Sequence, residues 1–417
     1  MKIHFVGISG VSMRALSDAA ASRGHIVTGS DNTLGGHDPK NVEGADLVVY
    51  TNAVPQDNCE LVRARELNIP IIERAEYLGE LARVYKTVIA VAGCHGKSTT
   101  TAMLGAALKN RRPTVHVGVK DASHAGGDKF FVTEACEYRA SFTHLHPDVG
   151  VILNVQYDHP DYYKTLDSLI CAYVQFSKNC KKLIVNGDDE LCVKLFPTAV
   201  TFGTREGCDY RAVNIASKNG LRTFTLVGKK HADVKLRVAG VHNVYNALAT
   251  IAAATECGVP LTEILPMLYE FNGVGRRFER KGLAFGKTIL TDYAHHPTEI
   301  QATISAAREI FPSVAVVFQP HTYSRTQALL DDFSSALGKA DTVVLAPIFA
   351  AREKPIEGVS SHALCRKIVE NKENAYCFDT FTEILEFCKG LKEKALIFMG
   401  AGDIDICADR FIQLGMI

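Results

Sequence analysis

Short apolar runs rich in β-branched residues alternate with helix-like segments along most of the chain. The most distinct unit is an apolar run at residues 88–92, a turn with two glycines, and a helical pattern that reaches Leu108. Further runs lie at residues 2–6, 26–29, 46–50, 69–72, 130–137, 149–154, 183–189, 287–292, 314–319, 341–346 and 395–399. Because strands that alternate with helices form mostly parallel sheets, the pattern predicts an α/β protein.

Two breaks in this alternation predict three domains. The first break lies near Lys86, and the second lies at Arg276 and Arg277, which follow two glycines as an interdomain hinge would. We therefore expect domains at residues 1–86, 87–275 and 276–417. A smaller, more β-rich segment is expected at residues 209–238, within the second domain.

The composition is that of a globular protein, with 47% hydrophobic and 22% charged residues among 417. Lysine plus arginine equals aspartate plus glutamate at 46 each, so no overall basic field favours nucleic acid or an anionic membrane. No apolar run approaches the ~20 residues of a membrane span. The 12 cysteines are scattered along a chain whose N-terminus has no signal-peptide pattern, which favours reduced thiols and a cytoplasmic location.

The turn after residues 88–92 has the composition of a phosphate-binding loop, formed by Gly93, Cys94, His95, Gly96, Lys97, Ser98 and Thr99. Backbone N–H groups of such a loop, together with the helix N-terminus, bind oligophosphates. Lys97 can then reach the β- and γ-phosphates, and the Ser98 hydroxyl can ligate Mg²⁺. Val91 stands where the usual motif has its first glycine, so a capped helix start without a ligand is the alternative.

A second glycine turn, at Gly7 and Gly10, follows the first strand, and the next strand ends at Ser30 and Asp31. In this βαβ layout the glycine turn holds a pyrophosphate and the acidic residue lies near a ribose. Ser12 is near the place of the third glycine in the dinucleotide fingerprint. The motif therefore predicts a small phosphate-binding α/β unit and gives little support to a dehydrogenase.

Polar residues follow several predicted strands, at the sheet edge where ligands of α/β proteins bind. Of those in the middle of the chain, Glu134 and His159 suit Mg²⁺ beside a nucleotide, although such carboxylates are often solvated surface groups. Beyond the hinge, clusters at residues 293–299, 320–325 and 400–404 predict a further site. Arg276 and Arg277 can reach over a nucleotide, unless they are only surface charge.

Together these motifs resemble those of the Mur ligases from one end of the chain to the other. The matching segments are the turn at Gly7 and residues 92–100, 134–138, 158–161, 242–247, 276–279, 292–299, 319–326 and 399–404. Ser9 and Ser12 depart from the family pattern by replacing glycines that are usual in the first loop. Cys94 replaces a usual threonine in the phosphate loop, an exchange that a backbone role would tolerate.

The resemblance implies a Rossmann-like UDP-sugar domain, a central P-loop ATPase-like domain with a parallel sheet, and a Rossmann-like amino-acid domain. Within the family, the motifs are most similar to those of members that join L-alanine to the lactyl carboxylate of UDP-N-acetylmuramate in peptidoglycan precursor synthesis. ATP would phosphorylate that carboxylate with the help of Mg²⁺, and the amine would attack the resulting acyl phosphate. We accordingly expect a monomer or weak homodimer whose partners are these substrates, without nucleic acid or membrane.

The resemblance also implies roles for individual residues. The nucleotide is expected to contact the phosphate loop together with His242, Asn243, Asn246 and Arg276, and Mg²⁺ to be held by Ser98, Glu134 and His159. The UDP-sugar site maps onto Gly7, Ser9, Gly10, Ser30 and Asp31. The amino-acid pocket maps onto Tyr293, His295, His321 and Arg325, whose guanidinium can pair with the amino-acid carboxylate. Catalytic roles are expected for Lys97, His159, His295, His321 and Arg325.

Three other functions stay open at this point. A ligase that attaches a whole peptide to the same nucleotide sugar would share nearly all of these motifs. A non-catalytic regulator would bind ATP without substrate-dependent release of phosphate. A dehydrogenase would need a nicotinamide site, which only the first glycine turn supports.

Overall fold

The computed structural model describes residues 1–218, 221–370 and 374–416. Its first unit contains strands β1 (Lys2–Val6), β2 (Ile26–Ser30), β3 (Leu47–Tyr50) and β4 (Ile71–Glu73). Helices α1 (Val11–Ser22), α2 (Cys59–Glu66) and α3 (Arg74–Ala82) pack against them, and short 3-10 turns lie at Asn32–Leu34 and Pro39–Val42. The strands form a parallel sheet in the order β2-β1-β3-β4.

The central unit has the largest sheet. Its strands are β5 (Thr87–Ala92), β6 (Thr114–His116), β7 (Phe130–Glu134), β8 (Val149–Ile152), β9 (Lys182–Asn186), β10 (Val200–Gly203), β11 (Tyr210–Lys218), β12 (Leu221–Gly228) and β13 (Ala232–Leu236). The helices are α4 (Lys97–Ala107), α5 (Leu166–Lys178), α6 (Glu190–Leu195), α7 (His242–Glu256) and α8 (Leu261–Glu270), with 3-10 turns at Lys109–Arg111 and Tyr138–His144. The strand order is β13-β12-β11-β10-β9-β8-β5-β7-β6, which places the phosphate-loop strand β5 between β8 and β7.

The third unit repeats the α/β pattern. Its strands are β14 (Glu279–Ala284), β15 (Lys287–Asp292), β16 (Val314–Phe318), β17 (Thr342–Leu345), β18 (Ala375–Cys377) and β19 (Ala395–Met399). Its helices are α9 (Pro297–Arg308), α10 (Tyr323–Ala328), α11 (Leu330–Leu337), α12 (Ser361–Val369), α13 (Phe381–Lys389) and α14 (Ile404–Gly415). The order is β14-β15-β19-β16-β17-β18, with only the β14–β15 pair antiparallel. The predicted α/β class is confirmed.

The first two units share one apolar core, whereas the third has cores of its own. The rings of Phe5 and Tyr77 in the first unit pack edge to face at 5.5 Å, in the same buried cluster as Val88 and Phe131 of the central sheet. Two further clusters cover the two faces of the third sheet. Among the described residues, no buried cluster combines the second and third units. We call the contact between the first and central units the first joint, and that between the central and third units the second joint. The first joint is therefore a packed apolar core, whereas the second joint has no shared buried apolar cluster in the described part of the chain.

In two segments the structure gives more detail than the predicted pattern of strands. Strand β7 ends at Glu134 rather than at Glu137, because the chain then turns through Arg139 and Ala140, both with positive φ. The β-rich segment at residues 209–238 is an antiparallel extension of the central sheet by β11, β12 and β13, and its residues 219 and 220 lie outside the described residues.

The 12 cysteines all lie in the described part of the chain and carry free thiols. Over the described ranges, no helix combines the length and the apolar character that crossing a membrane requires.

Candidate active site

The phosphate loop joins the end of β5 to the first turn of α4. Gly93 and Gly96 both have positive φ, at 134° and 85°. A side chain at Gly96 would also approach Asn246 Oδ1 of α7 to 2.7 Å, so this position requires glycine. The loop is therefore held closely between β5 and the start of α7.

Lys97 begins α4 and folds back over its own loop. Its Nζ donates to Gly93 O at 2.6 Å, to Cys94 O at 3.2 Å and to the Glu137 carboxylate at 2.9 Å. Burial alone lowers the pKa of Lys97, but the charge of Glu137 raises it above its ordinary value. Burial has the opposite effect on Glu137, where Lys97 and a hydrogen bond from His159 bring the pKa down to about 2. The buried pair is therefore charged at pH 7, with an ammonium fixed beside the loop.

The Cys94 thiol anchors the loop to the segment after β8. Its Sγ donates to Gln156 O at 2.8 Å and accepts from Gln156 N at 3.1 Å. Burial raises the pKa of the thiol, so it stays protonated. The side chain at position 94 thus points into the protein, so that only the backbone groups of this residue face the loop.

Three possible metal ligands meet beside the phosphate loop. Ligand atoms of Glu137, Asp158 and His159 lie within 4.8 Å of one another. Of the predicted ligands, His159 belongs to this group, Ser98 is buried in the first turn of α4, and Glu134 ends β7. Carboxylate and hydroxyl oxygens with one imidazole fit Mg²⁺ by donor type. The pattern of predicted strands does not indicate that Glu137 and Asp158 lie close to His159, because both residues lie in irregular segments after the strands.

A cavity of about 880 Å³ lies between the central and third units, a size and place common for ligand sites. The predicted nucleotide residues on its walls are His95, Gly96, Thr99, His242, Asn243 and Asn246. Asp292 and Glu299 line it from the third unit. Burial lowers the pKa of His242 to about 4, so this wall carries a neutral imidazole at pH 7.

The two hinge arginines point in different directions. Arg276 Nη2 donates to Gly400 O at 2.9 Å and to Gly402 O at 2.8 Å. Arg277 lines the cavity, 3.6 Å from Glu299. The structure therefore places Arg277 rather than Arg276 at the cavity, because two backbone carbonyls hold the Arg276 guanidinium elsewhere.

The four predicted amino-acid residues come together at the carboxyl ends of β15 and β16. The rings of Tyr293 and His295 are 5.4 Å apart, and those of His295 and His321 are 5.8 Å apart. Arg325 Nη1 lies 3.2 Å from His321 Nδ1. Burial lowers the pKa of His295 to about 3 and that of His321 to about 4, so both rings are neutral at pH 7.

A carboxylate of the protein itself pairs with Arg325. Nη2 and Nε of Arg325 approach Asp158 Oδ1 to 2.8 Å and 3.3 Å, and both residues are buried. Burial alone raises the pKa of Asp158, but the Arg325 charge holds it well below its ordinary value. The guanidinium edge expected to bind an amino-acid carboxylate is thus engaged across the second joint. Since Asp158 precedes His159, the pair also links the possible metal ligands to the amino-acid cluster.

A second cavity, of about 350 Å³, lies at the glycine turn of the first unit. Gly7, Gly10 and Asp31 line it, and Ser9 N donates to Asp31 Oδ2 at 3.3 Å. Ser30 does not line it, because its side chain is buried and donates to a glutamate of α2 at 2.5 Å.

Five polar residues that were not predicted as site residues also line this second cavity, namely Ser12, Asn32, His37, Thr51 and Arg74. Arg74 directly follows β4, so its position after a strand is a signal that could have identified it. His37 lies in an irregular segment, where the alternation of strands and helices offers no such signal.

Sequence comparisons match nearly the whole chain to one family. Profiles described as "Mur ligase family, catalytic domain", "Mur ligase middle domain" and "Mur ligase, glutamate ligase domain" match residues 2–86, 91–254 and 276–402. A UDP-N-acetylmuramate-L-alanine ligase of Clostridium novyi is 43% identical, with 99% of this chain and 97% of the relative covered.

Solved structures give the same result. The crystal structure of a UDP-N-acetylmuramate-alanine ligase from Thermotoga maritima matches with a TM-score of 0.83 and 31% identity, covering 99% of both chains. A murein peptide ligase from Psychrobacter arcticus shares the fold, with a TM-score of 0.70, 23% identity, and 100% of this chain and 99% of that chain covered. Three matched Mur ligase domains, relatives similar over the full length and a phosphate loop facing a second α/β unit lead to one conclusion: this chain belongs to the Mur ligase family.

Proposed function

We propose that this chain is an ATP-dependent ligase that joins L-alanine to the lactyl carboxylate of UDP-N-acetylmuramate, releasing ADP and phosphate. The observation that carries the proposal is the position of the phosphate loop and the histidine-arginine cluster on two sides of one interface, bridged by Asp158 and Arg325. A ligase of this kind must bring a phosphoryl donor and an amine to the same carboxylate.

Activation of the carboxylate comes first, because a carboxylate is a poor electrophile. A lactyl oxygen attacks the γ-phosphorus of ATP, the bond from that phosphorus to the bridging oxygen breaks, and ADP departs. The alanine amine then attacks the acyl carbon of the acyl phosphate. The tetrahedral adduct expels phosphate and leaves the amide.

Negative charge concentrates on the transferred phosphoryl group during the first step. Lys97 supplies a positive charge beside the loop and exchanges its bond to Gly93 O for a phosphate oxygen. Bound Mg²⁺ would neutralise further phosphate charge, held by Ser98, Glu134 and His159 with Glu137 close to His159.

Alanine arrives as an ammonium ion and must lose a proton before it attacks. His295 and His321 are neutral at pH 7, so each ring can accept a hydrogen bond from the ammonium ion, and the one that takes the proton must have its pKa raised from about 3 or about 4 when alanine is bound. Tyr293 limits the volume of the side chain, and Arg325 binds the alanine carboxylate once Asp158 releases it.

The proposal assigns each cavity to a ligand. ATP occupies the cavity between the second and third units, where Arg277 joins the predicted nucleotide residues, and the UDP-sugar occupies the cavity of the first unit. Residues 1–86, 87–275 and 276–417 are then the UDP-sugar, ATP and amino-acid domains. We further propose that the enzyme works in the cytoplasm as a monomer or weak homodimer.

Phosphate release from ATP, measured with UDP-N-acetylmuramate and a panel of amino acids and peptides, tests the function. L-Alanine should give the highest kcat/KM, with glycine and serine as slow substrates because one methylene changes binding by only ~1–3 kcal/mol. Hydroxylamine without alanine should trap a hydroxamate, because the acyl phosphate forms first. A tripeptide better than alanine would make the chain a peptide ligase, and ATP binding without substrate-dependent phosphate release would make it a regulator.

A further inference from the structure

A chain of hydrogen bonds crosses from the first unit into the central unit. Arg74 Nη1 lies 3.3 Å from Ser12 Oγ, and Ser12 Oγ lies 2.9 Å from His116 Nε2. On the other side of the ring, His116 Nδ1 lies 3.0 Å from Thr133 Oγ1, which donates to Glu134 O at 3.0 Å. Five residues from two units are thus joined in one chain of bonds.

The groups at the two ends of this hydrogen-bond chain determine which atom donates in each bond. Arg74 can only donate, and Thr133 gives its proton to Glu134 O. Thr133 Oγ1 therefore accepts from His116 Nδ1–H, and the unprotonated His116 Nε2 accepts from the Ser12 hydroxyl. Burial, and then the charge of Arg74, lowers the pKa of His116 to about 3, so the ring is neutral. A single tautomer of His116 satisfies every bond.

This hydrogen-bond chain connects two candidate sites, the cavity of the first unit and the carboxyl end of β7. Ser12 and Arg74 line the cavity of the first unit. His116 and Thr133 are paired in register at the carboxyl ends of β6 and β7, and Glu134 is the last residue of β7. The joint between these units is a packed core, so the bonds fix a relative position instead of bridging a gap that opens.

We propose that Ser12 is a positioning residue, which fixes the glycine turn of the first unit against the end of β7. The inference rests on the proposed function, in which the first unit holds the UDP-sugar and β7 ends at the phosphoryl-transfer site. The Ser12 hydroxyl then determines where the lactyl carboxylate meets the γ-phosphate. Glycine at this position could not make the connection, since glycine has no hydroxyl to donate.

Ser12→Ala in the full-length protein tests the proposal through hydroxamate formation from ATP, UDP-N-acetylmuramate and hydroxylamine. We expect kcat to fall about 10- to 100-fold, because a displacement of ~1 Å at a reacting group has this effect, while KM for ATP stays near its wild-type value. Ser12→Thr keeps the hydroxyl and should restore most of kcat. Ser22→Ala is the matched control in the same helix, since its hydroxyl donates locally to Ala19 O, and it should keep the wild-type kcat.

¹⁵N NMR of His116 gives a readout that does not depend on turnover. Nε2 should show the shift of an unprotonated ring nitrogen that accepts a hydrogen bond, and Ser12→Ala should move this signal whereas Ser22→Ala should not. An unchanged NMR signal in Ser12→Ala overturns the proposal, and so does a wild-type kcat. A rise in KM for the UDP-sugar at unchanged kcat also overturns it, because Ser12 would then be a simple binding contact. If the wild-type protein forms no hydroxamate, the proposed function fails, and the NMR signal still decides whether the bond exists.

Discussion

At the scale of single residues, Lys97 lies over the phosphate loop and also balances the charge of buried Glu137. Lys97→Ala should lower kcat by about 100-fold or more, because a charge that acts on the transferring phosphoryl group is lost. It should also lower the free energy of unfolding by about 3 kcal/mol, because Glu137 is left buried without its cation. Urea unfolding and steady-state kinetics measure the two effects.

The Lys97→Ala/Glu137→Gln double variant is the control for this prediction. It should regain part of the lost stability and stay inactive, because glutamine removes the unpaired charge but supplies no cation. Wild-type turnover of Lys97→Ala would contradict its role at the phosphate, and wild-type stability would contradict the importance of the buried pair.

Arg325 is the residue on which alanine recognition depends in the proposal. Arg325→Lys should raise KM for alanine about tenfold while KM for ATP changes little, because lysine has no planar fork for a carboxylate. Steady-state kinetics with each substrate varied in turn checks this. Arg366→Lys, an exposed position on α12, is the matched control and should leave both constants unchanged. Unaltered alanine kinetics in Arg325→Lys would remove Arg325 from the pocket.

The sequence predicts which strand end a residue follows, but not the direction of its side chain. The position of Lys97 could be predicted, because the residue after a glycine turn between a strand and a helix lies in the first turn of that helix, beside the loop. Arg276 and Arg277 have the same sequence context, yet they point to different partners. The Asp158–Arg325 pair could not be predicted, because it joins two sheets across 167 positions and no periodicity relates one sheet to the other.

At the scale of elements, helix α2 carries a charge buried against the first sheet. Burial alone raises the pKa of Glu60, but hydrogen bonds from His4, Ser30, Asn41 and His37 lower it to about 2. Because the ordinary value is 4.5, the carboxylate stabilises the fold above pH 4.5, and this contribution is lost as the pH falls toward 2.

Glu60→Gln should therefore lower the free energy of unfolding at pH 7 by at most about 3 kcal/mol. The difference from wild type should shrink as the pH falls below 4.5, which denaturant unfolding at several pH values can measure. Glu66→Gln is the control on the same helix, where a solvent-exposed pair with Arg63 should contribute little to stability. A Glu60→Gln effect that is the same at pH 7 and pH 3 would contradict the account.

Every strand run predicted from the sequence overlaps a strand of the structure, because β-branched apolar runs bounded by turn residues leave few alternatives. The strands that the sequence did not predict are β6, β10, β14 and β18. β6 and β18 have three residues each, too few for a periodic pattern. Such edge strands depend on a neighbouring strand for their hydrogen bonds, which local sequence does not show.

At the scale of the whole molecule, the two joints predict where the protein opens. The first joint is an apolar core, whereas the second is bridged by polar contacts such as the Arg222–Glu309 pair, at 2.5 Å. We expect the third unit to move about the segment at residues 276–281 while the first two stay together. Small-angle scattering should show a smaller radius of gyration with UDP-N-acetylmuramate and a non-hydrolysable ATP analogue.

Glu309→Gln should shift the ligand-free protein toward the open arrangement. Its radius of gyration should increase, and KM for ATP should rise up to about fivefold, the effect expected of a partly exposed ion pair. Arg308→Gln is the neighbouring control, because Arg308 pairs with Asp341 inside the third unit and its loss should leave the radius unchanged. The same radius in wild type and Glu309→Gln would exclude this pair as a closing contact.

The bond between Ser12 and His116 joins positions 104 residues apart, and it limits how the units can be exchanged between relatives. A chimaera that takes residues 2–86 from a family member with glycine at position 12 would leave His116 Nε2 buried without a donor. The penalty for such an orphaned group is about 1–3 kcal/mol, enough to disfavour the hybrid before any substrate binds. Changes at positions 12 and 116 should therefore occur as a pair among relatives of this chain.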